Sequence, residues 1–351
     1  MRVGINLIST PHYEPDELVT RFFQKFLQYS VEAKDTNDFF IFITEGSCET
    51  NFPNAEVIQI PPIENRLLSK LYIRSTPLDS IIRKFSLDTI ISPLENAMSI
   101  SSIPCIPIVL HTESWYREQD LSFFTNRDLR KNLVNCPLWI TTSEYGRKLC
   151  LEEWKVPLNK VVSVPVGVEK SLSKAPPPII QQKYLVSVVD DSTIRHLPDI
   201  VEVLKNLQTD SPYSILLIGK THKREPKDWG ENVLRIEKCP DNTLGGILHH
   251  ATAFIYPSLH DISAMRVIEA LQAGTCVIAP FNPAFEEKCS ELPFYYQGGS
   301  ISSFNSTLNR VLSLSEEERL ERIRLGRVRV GEYSWQDTAW KIITTIKKFV
   351  L

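Results

Sequence analysis

Short apolar runs alternate along this chain with longer stretches of helical period, the pattern of parallel strands joined by crossover helices. In the first half, residues 2–8, 39–43, 55–59, 89–92, 107–111 and 138–142 predict strands, with helices notably over 16–29 and 78–85. The pattern restarts in the second half. Residues 184–189, 214–219, 233–236, 253–256 and 275–279 predict strands, and 197–207, 243–250 and 265–273 predict helices. Between the halves, Lys174-Ala175-Pro176-Pro177-Pro178 can be neither helix interior nor central strand, so it reads as an extended linker. The expected organisation is an α/β chain of two doubly wound, Rossmann-like domains, 1–168 and 182–333, with a linker over 169–181. A terminal helix over 334–351 follows. Ligands of such sheets sit beyond the carboxyl ends of the strands, so a cleft between the domains is expected.

Bulk properties narrow the function classes. The 351 residues exceed one comfortable core and suit two domains. A net charge of −3 supplies no whole-molecule field for nucleic acid, which is not expected as a partner. The seven cysteines are scattered and odd in number, with no Cys-x-x-Cys spacing, which speaks against a disulfide framework or a zinc site and for a reducing compartment. The first residues read as a strand, too short for the apolar core of a signal peptide. No apolar run of about 18 residues is present. A cytoplasmic protein is expected.

The chemistry concentrates in Phe254-Ile255-Tyr256-Pro257-Ser258-Leu259-His260-Asp261-Ile262-Ser263-Ala264-Met265-Arg266-Val267-Ile268-Glu269-Ala270-Leu271-Gln272-Ala273-Gly274. A buried strand ends at Pro257, a polar loop follows, and a helix begins near Ser263 or Ala264 and stops at Gly274. The first-turn amides of a helix lack intrahelical partners, so Ser263, Ala264, Met265 and Arg266 form a candidate anion cradle. Asp261 stands before the helix, where a carboxylate can accept hydroxyl hydrogen bonds, and Glu269 lies about a turn and a half inside it. The plainer alternative is that Asp261 caps the helix and Glu269 is a solvated charge.

This segment resembles the donor-site signature of glycosyltransferase family 4, in which a strand ending in Pro-Ser precedes two acids separated by seven residues. Here those acids are Asp261 and Glu269, with Pro257-Ser258, Ala270 and Gly274 also in place. Three further segments match in order. They are 87–93 with 107–113, then Thr142-Ser143-Glu144-Tyr145 with 156–168, and Ser334-Trp335 with Thr338-Ala339. The resemblance implies the GT-B fold, with a C-terminal helix crossing back to the first domain. It also implies retaining transfer of a hexose from a nucleoside diphosphate sugar, with neither metal nor other cofactor. By the same resemblance Asp261 binds donor-sugar hydroxyls, Glu269 the ribose, Arg195 the diphosphate, and His111 lies near the reacting sugar. A lone His at a strand end is otherwise a satisfied structural residue.

Departures from the signature matter to the chemistry. The stretch 9–15 lacks the usual Gly-Gly turn and carries Pro11 and Pro15. Asp190 or Asp191 stands where an arginine is usual, and a carboxylate beside a diphosphate repels it. Asp261 is one methylene shorter than the usual Glu. Arg266 falls in the first helical turn, against the macrodipole, and is either a substitute cation for the diphosphate or a surface charge. Arg66, Lys70 and Arg74 share a helical face that suits anionic lipid headgroups or a lipid-linked acceptor, or is merely solvated. Peripheral association with the inner membrane face follows from the first of these. The expected function is a glycosyltransferase acting on a glycan or lipid-linked acceptor. Its alternatives are a non-catalytic GT-B protein that binds a sugar nucleotide or scaffolds an active partner, and a nucleotide-sugar epimerase.

Overall fold

The computed structural model describes residues 1–8, 17–31, 37–45, 51–61, 77–97, 103–112, 133, 136–173, 182–190, 193–194, 196–197, 201, 203–205, 213–221 and 233–350. The chain divides into two units, Met1–Val166 with Trp335–Leu351, and Gly167–Ser334.

The first unit is built on a seven-stranded parallel sheet in the order β3-β2-β1-β4-β5-β6-β7. Its strands are β1 (Arg2–Leu7), β2 (Asp38–Thr44), β3 (Glu56–Ile60), β4 (Thr89–Pro93), β5 (Cys105–Val109), β6 (Trp139–Thr141) and β7 (Val161–Ser163). The central strands β4 and β5 are buried at every position, as expected of a parallel sheet covered on both faces. Helices α1 (Glu17–Ser30), α2 (Pro77–Phe85) and α3 (Glu144–Glu152) accompany it. Ser143 caps α3 by accepting from the Gly146 amide at 3.0 Å.

The second unit carries a six-stranded parallel sheet in the order β10-β9-β8-β11-β12-β13. It comprises β8 (Tyr184–Val188), β9 (Ser214–Ile218), β10 (Val233–Ile236), β11 (Ala253–Ile255), β12 (Val277–Pro280) and β13 (Phe294–Tyr296). Its described helices are α4 (Asp241–His250), α5 (Met265–Ala273), α6 (Pro283–Cys289), α7 (Ile301–Leu312) and α8 (Glu316–Val330). Leu185, Ile215, Leu217, Ile255, Ile278 and Phe304 belong to the buried core that joins sheet and helices. A full capping box starts α8: Ser315 accepts from the Glu318 amide while Glu318 accepts from the Ser315 amide.

The last helix, α9 (Trp335–Val350), belongs to the first unit. The Trp335 ring meets Phe22 of α1 at 5.8 Å, and the Thr338 hydroxyl donates to the Pro165 carbonyl at 2.8 Å. Strands β7 and β13 are three residues long, and the periodicity analysis does not resolve them. Of the region expected to link the domains, Lys170–Ser173 forms a 3-10 turn with Leu172 buried, and 174–181 lies outside the described residues. Among the described residues, no helix is long and apolar enough to cross a membrane.

Candidate functional site

In the second unit the chain lays down β8, β9 and β10 outward in one direction, then returns to place β11 on the other side of β8. The loops leaving β8 and β11 therefore run in opposite directions from the sheet, and the carboxyl edge between them is where such folds bind ligands. Both loops are tightly tied. After β8, the Thr193 amide donates to Asp190 Oδ1 at 3.0 Å, and the Thr193 hydroxyl donates to the Val188 carbonyl at 2.8 Å. Asp190 is thus buried and turned into its own loop, which moderates the charge repulsion expected from the sequence. The rings of His196 and His260, one from each loop, lie 5.9 Å apart. Next to them a small recess is lined by His196, Leu259, Tyr296, Gly298 and Ile301 among others. Gly298 packs closely on Leu259 there, since a Cβ would come within 2.5 Å of Leu259 Cδ2 and the leucine side chain would have to shift.

The loop from β11 ends in a network around Asp261. Its Oδ1 accepts from the Ser263 amide at 2.6 Å, the Ser263 hydroxyl at 2.7 Å and the Ala264 amide at 3.1 Å. Its Oδ2 accepts from the Tyr256 hydroxyl at 3.0 Å. The Met265 amide donates to Ser263 Oγ at 3.2 Å. Asn282, which caps α6, donates from Nδ2 to the Asp261 carbonyl at 2.8 Å. Asp261 is fully buried at 0% exposure.

This arrangement corrects the open anion cradle expected at the α5 tip. Three of the four amides expected to form it, those of Ser263, Ala264 and Met265, are held by the chain's own oxygens. The physical reason is side-chain length. An aspartate two or three residues before an amide reaches it as an Asx turn or N-cap, whereas one more methylene carries the carboxylate past it. Asp261 closes an Asx-type turn in the loop that enters α5, and the helix itself has no side-chain cap. Helix α5 starts at Met265 with Ala264 as its N-cap and stops at Gly274, which is left-handed with φ 94°.

Ala264 is itself left-handed, with φ 52° and ψ 18°. An L-residue in that region costs about 1–2 kcal/mol, which a glycine avoids at the expense of a freer unfolded chain and a lost buried methyl. These terms oppose one another, so Ala264→Gly is expected to lie within about 0.5 kcal/mol of the parent in chemical denaturation. Ala270→Gly, inside α5, is expected to cost more than about 1 kcal/mol because no strain is relieved. Equal losses at the two positions contradict the strain at Ala264.

The expectations for Arg266 and Glu269 also change. Arg266 is 2% exposed and Glu269 1%, and Arg266 Nη1 donates to Glu269 Oε2 at 3.3 Å. Neither is a surface charge. The i,i+3 carboxylate neutralises a cation that would otherwise oppose the helix dipole. Glu269 is already engaged, so contact with a ribose requires it to share its carboxylate.

Lys288 of α6 is a functional candidate that sequence analysis missed. It is 1% exposed, and its ammonium donates to the Ser263 carbonyl. Burial pushes its pKa down to about 8, with the negative charge of Asp261 acting in the opposite direction. In the sequence it stands in the run Glu286-Glu287-Lys288, which reads as solvated, so no local signal marks it.

His111 lies in the first unit, buried just beyond the end of β5. Arg195, Arg66, Lys70, Arg74 and the stretch 9–15 lie outside the described residues. The structure thus gathers Asp261, Ser263, Ala264, Met265, Arg266 and Glu269 with Tyr256, Asn282 and Lys288 around one helix tip. Among the described residues no group of three or more His, Cys, Asp or Glu could hold a metal.

No family model matches the chain. It is 18% identical over 259 residues to O-antigen chain mannosyltransferase B of Escherichia coli, and 20% identical over 231 residues to MMP alpha-(1->4)-mannosyltransferase of Mycolicibacterium hassiacum. The matches cover 66% and 61% of this chain, and 66% and 54% of those two proteins. Among solved structures, WaaG, a glycosyltransferase involved in lipopolysaccharide biosynthesis, superposes with a TM-score of 0.75 at 13% identity, covering 98% of this chain and 99% of that one. Alr3699/HepE of Anabaena, in complex with UDP and glucose, superposes with a TM-score of 0.72 at 11% identity, covering 98% and 99%. At these identities the likeness shows the fold, and the fold is GT-B.

Proposed function

We propose that this GT-B chain is a retaining glycosyltransferase that moves a hexose, mannose first among candidates, from a nucleoside diphosphate sugar to a hydroxyl of a glycan or lipid-linked acceptor. The observation that carries the reading is the pair of wholly buried acids, Asp261 and Glu269, flanking the tip of α5 where the strand order of the second unit reverses. Buried charges are costly, and their concentration at a ligand-binding edge is the mark of a functional site. The two mannosyltransferase relatives favour mannose, and the bound UDP and glucose of HepE suit a nucleoside diphosphate hexose.

In this reading the bond from the anomeric carbon to the phosphate oxygen breaks, and a bond to the acceptor oxygen forms on the same face. The leaving phosphate takes the acceptor's proton, so no protein nucleophile is needed. Charge growing on the diphosphate would be met by Arg195 and by the positive end of α5, with no metal and no other cofactor. His111 would lie near the reacting sugar.

A second reading has its own support. The occupied amides of Ser263, Ala264 and Met265 at the entrance to α5 suit a non-catalytic GT-B protein that binds sugar nucleotides weakly or scaffolds an active partner. Calorimetry against ADP, GDP and UDP, followed by turnover of the matching sugar nucleotides with and without acceptor glycans, separates the readings. Binding with acceptor-dependent transfer is expected. Binding without any turnover favours the scaffold, product without acceptor favours epimerisation, and no binding to any nucleotide removes the enzyme reading.

A further inference from the structure

A cavity on the second unit shares no lining residue with the Asp261 network. It has a volume of about 340 Å³ and lies against β13, the edge strand of the six-stranded sheet. Phe281, Phe294 and Tyr295 line it, with Glu286, Glu291, Arg310 and Arg322 around them. An exposed phenylalanine by itself needs no explanation. Phe281, however, is 51% exposed and meets Tyr295 edge-on, with ring centroids 5.7 Å apart and planes at 77°. The Tyr295 hydroxyl donates to the Ser290 carbonyl at 2.9 Å, which fixes that ring. The two rings make a fixed apolar corner in the cavity wall.

The polar part of the wall leaves much of its bonding capacity unused. The Glu286 and Glu291 carboxylates and the Arg310 guanidinium make no hydrogen bond and no ion pair among the described residues. Arg310 and Arg322 both lie over the Phe294 ring, at 5.5 and 4.2 Å from its centroid. Arg322 donates from Nη1 to the Glu291 and Leu292 carbonyls, and its Nε and Nη2 have no acceptor among the described residues. Two carboxylates and two guanidiniums cancel in charge, so the wall favours neither an anion nor a cation. It offers acceptors and donors side by side, in planar groups that can each make two hydrogen bonds.

These are the requirements of a pyranose. One face of a sugar ring is a patch of C–H groups that packs on aromatic rings, while its hydroxyls each donate and accept. The volume falls at the small end of the range for ligand sites and accommodates a hexose. We propose that this cavity is a second carbohydrate site, which holds a neutral hexose unit of a glycan on the Phe281–Tyr295 corner, with Glu286, Glu291, Arg310 and Arg322 on its hydroxyls. The inference goes beyond the transfer reaction proposed above and rests on it only for the choice of sugar. The role of the site is retention: a glycan bound at two points dissociates less readily than one bound at a single point.

Saturation-transfer NMR on the full chain, titrated with an α-linked mannotriose, tests this. The trisaccharide is expected to bind, with the same affinity when ADP, GDP and UDP are present. Phe281→Ala is expected to weaken that binding about tenfold, and Arg310→Ala about fivefold. Both side chains are exposed, and thermal unfolding confirms that each variant folds. Affinity for nucleoside diphosphates should stay at the parent value in both. If no trisaccharide binds, or Phe281→Ala leaves its affinity unchanged, the proposal is overturned. Should Phe281→Ala not fold, Arg310→Ala decides in the same way. Displacement of the sugar by nucleoside diphosphate assigns it to the donor site, and displacement by inorganic phosphate makes the arginine pair an anion site; either result also overturns the proposal. A chain that binds no nucleoside diphosphate but holds the trisaccharide through Phe281 loses the transferase reading and keeps this one.

Discussion

Glu269→Ala is expected to destabilise the second unit by about 3–5 kcal/mol, the largest effect of any single substitution considered at the site. The cause is the charge left behind. Arg266 and Glu269 are both almost fully withdrawn from water, so deleting the carboxylate takes an ion-pair partner from a buried guanidinium. Truncation to Ala adds a cavity, because Glu269 is enclosed on all sides within α5. Replacing both partners by apolar residues of similar size, as in Arg266→Met with Glu269→Leu, removes the charge and keeps the volume. That double variant should recover most of the loss. Urea unfolding of the parent, both single variants and the double variant gives the coupling. If the losses simply add, the pair is not a unit, and the account of why Arg266 tolerates the positive end of a helix fails.

The second large effect concerns pH. The ordinary lysine pKa of 10.5 falls to about 8 for Lys288 in the folded protein, chiefly through burial. Between those values the unfolded chain holds a proton that the folded chain does not, so stability from this group rises with pH across the window. It is flat below about pH 8, where both states are protonated, and flat again above about 10.5. The full rise corresponds to about 3 kcal/mol. Neighbouring acids act in the opposite sense: burial pushes the Cys289 thiol up to about 12 and also raises Tyr333, so their contributions fall as pH rises. The comparison that isolates Lys288 is therefore the parent minus Lys288→Met, measured by denaturant midpoints at several pH values from 7.5 to about 10.5. The parent should gain on the variant as pH increases. A constant difference would mean that Lys288 keeps an ordinary proton affinity and is more hydrated than its burial implies.

The alternation of strand and helix patterns was legible because each element's burial is periodic in its own residues. Residues 89–92 and 184–189 carry no charged residue, since a parallel strand is covered on both faces, and β4 and β8 follow them closely. Helix α5 was legible at both ends for a local reason, since Gly274 supplies the left-handed stop and the start lies within two residues of that expected. By contrast, β7 and β13 fall outside the predicted strands, and they exist as strands through their pairing with β6 and β12.

At the candidate site, residue order alone singled out Asp261 and Glu269 as a pair spanning one helix tip, because spacing along a helix is a local property. Where their charges point was a matter for the tertiary structure. Asp261 turned out to close the turn that enters its helix, Glu269 to face Arg266, and Asp190 to close its own turn. Lys288 entered only because α6 packs its side chain beneath the Ser263 carbonyl from 25 residues away in the chain. Propensity and period are carried by neighbouring residues, so the sequence by itself determined most of the elements, their parallel character and the helix that bears the site. Solvation is set by what covers a group, and charge compensation by what lies across from it. Both depend on contacts between distant segments, so only the folded chain decided which charges are buried and what they hold.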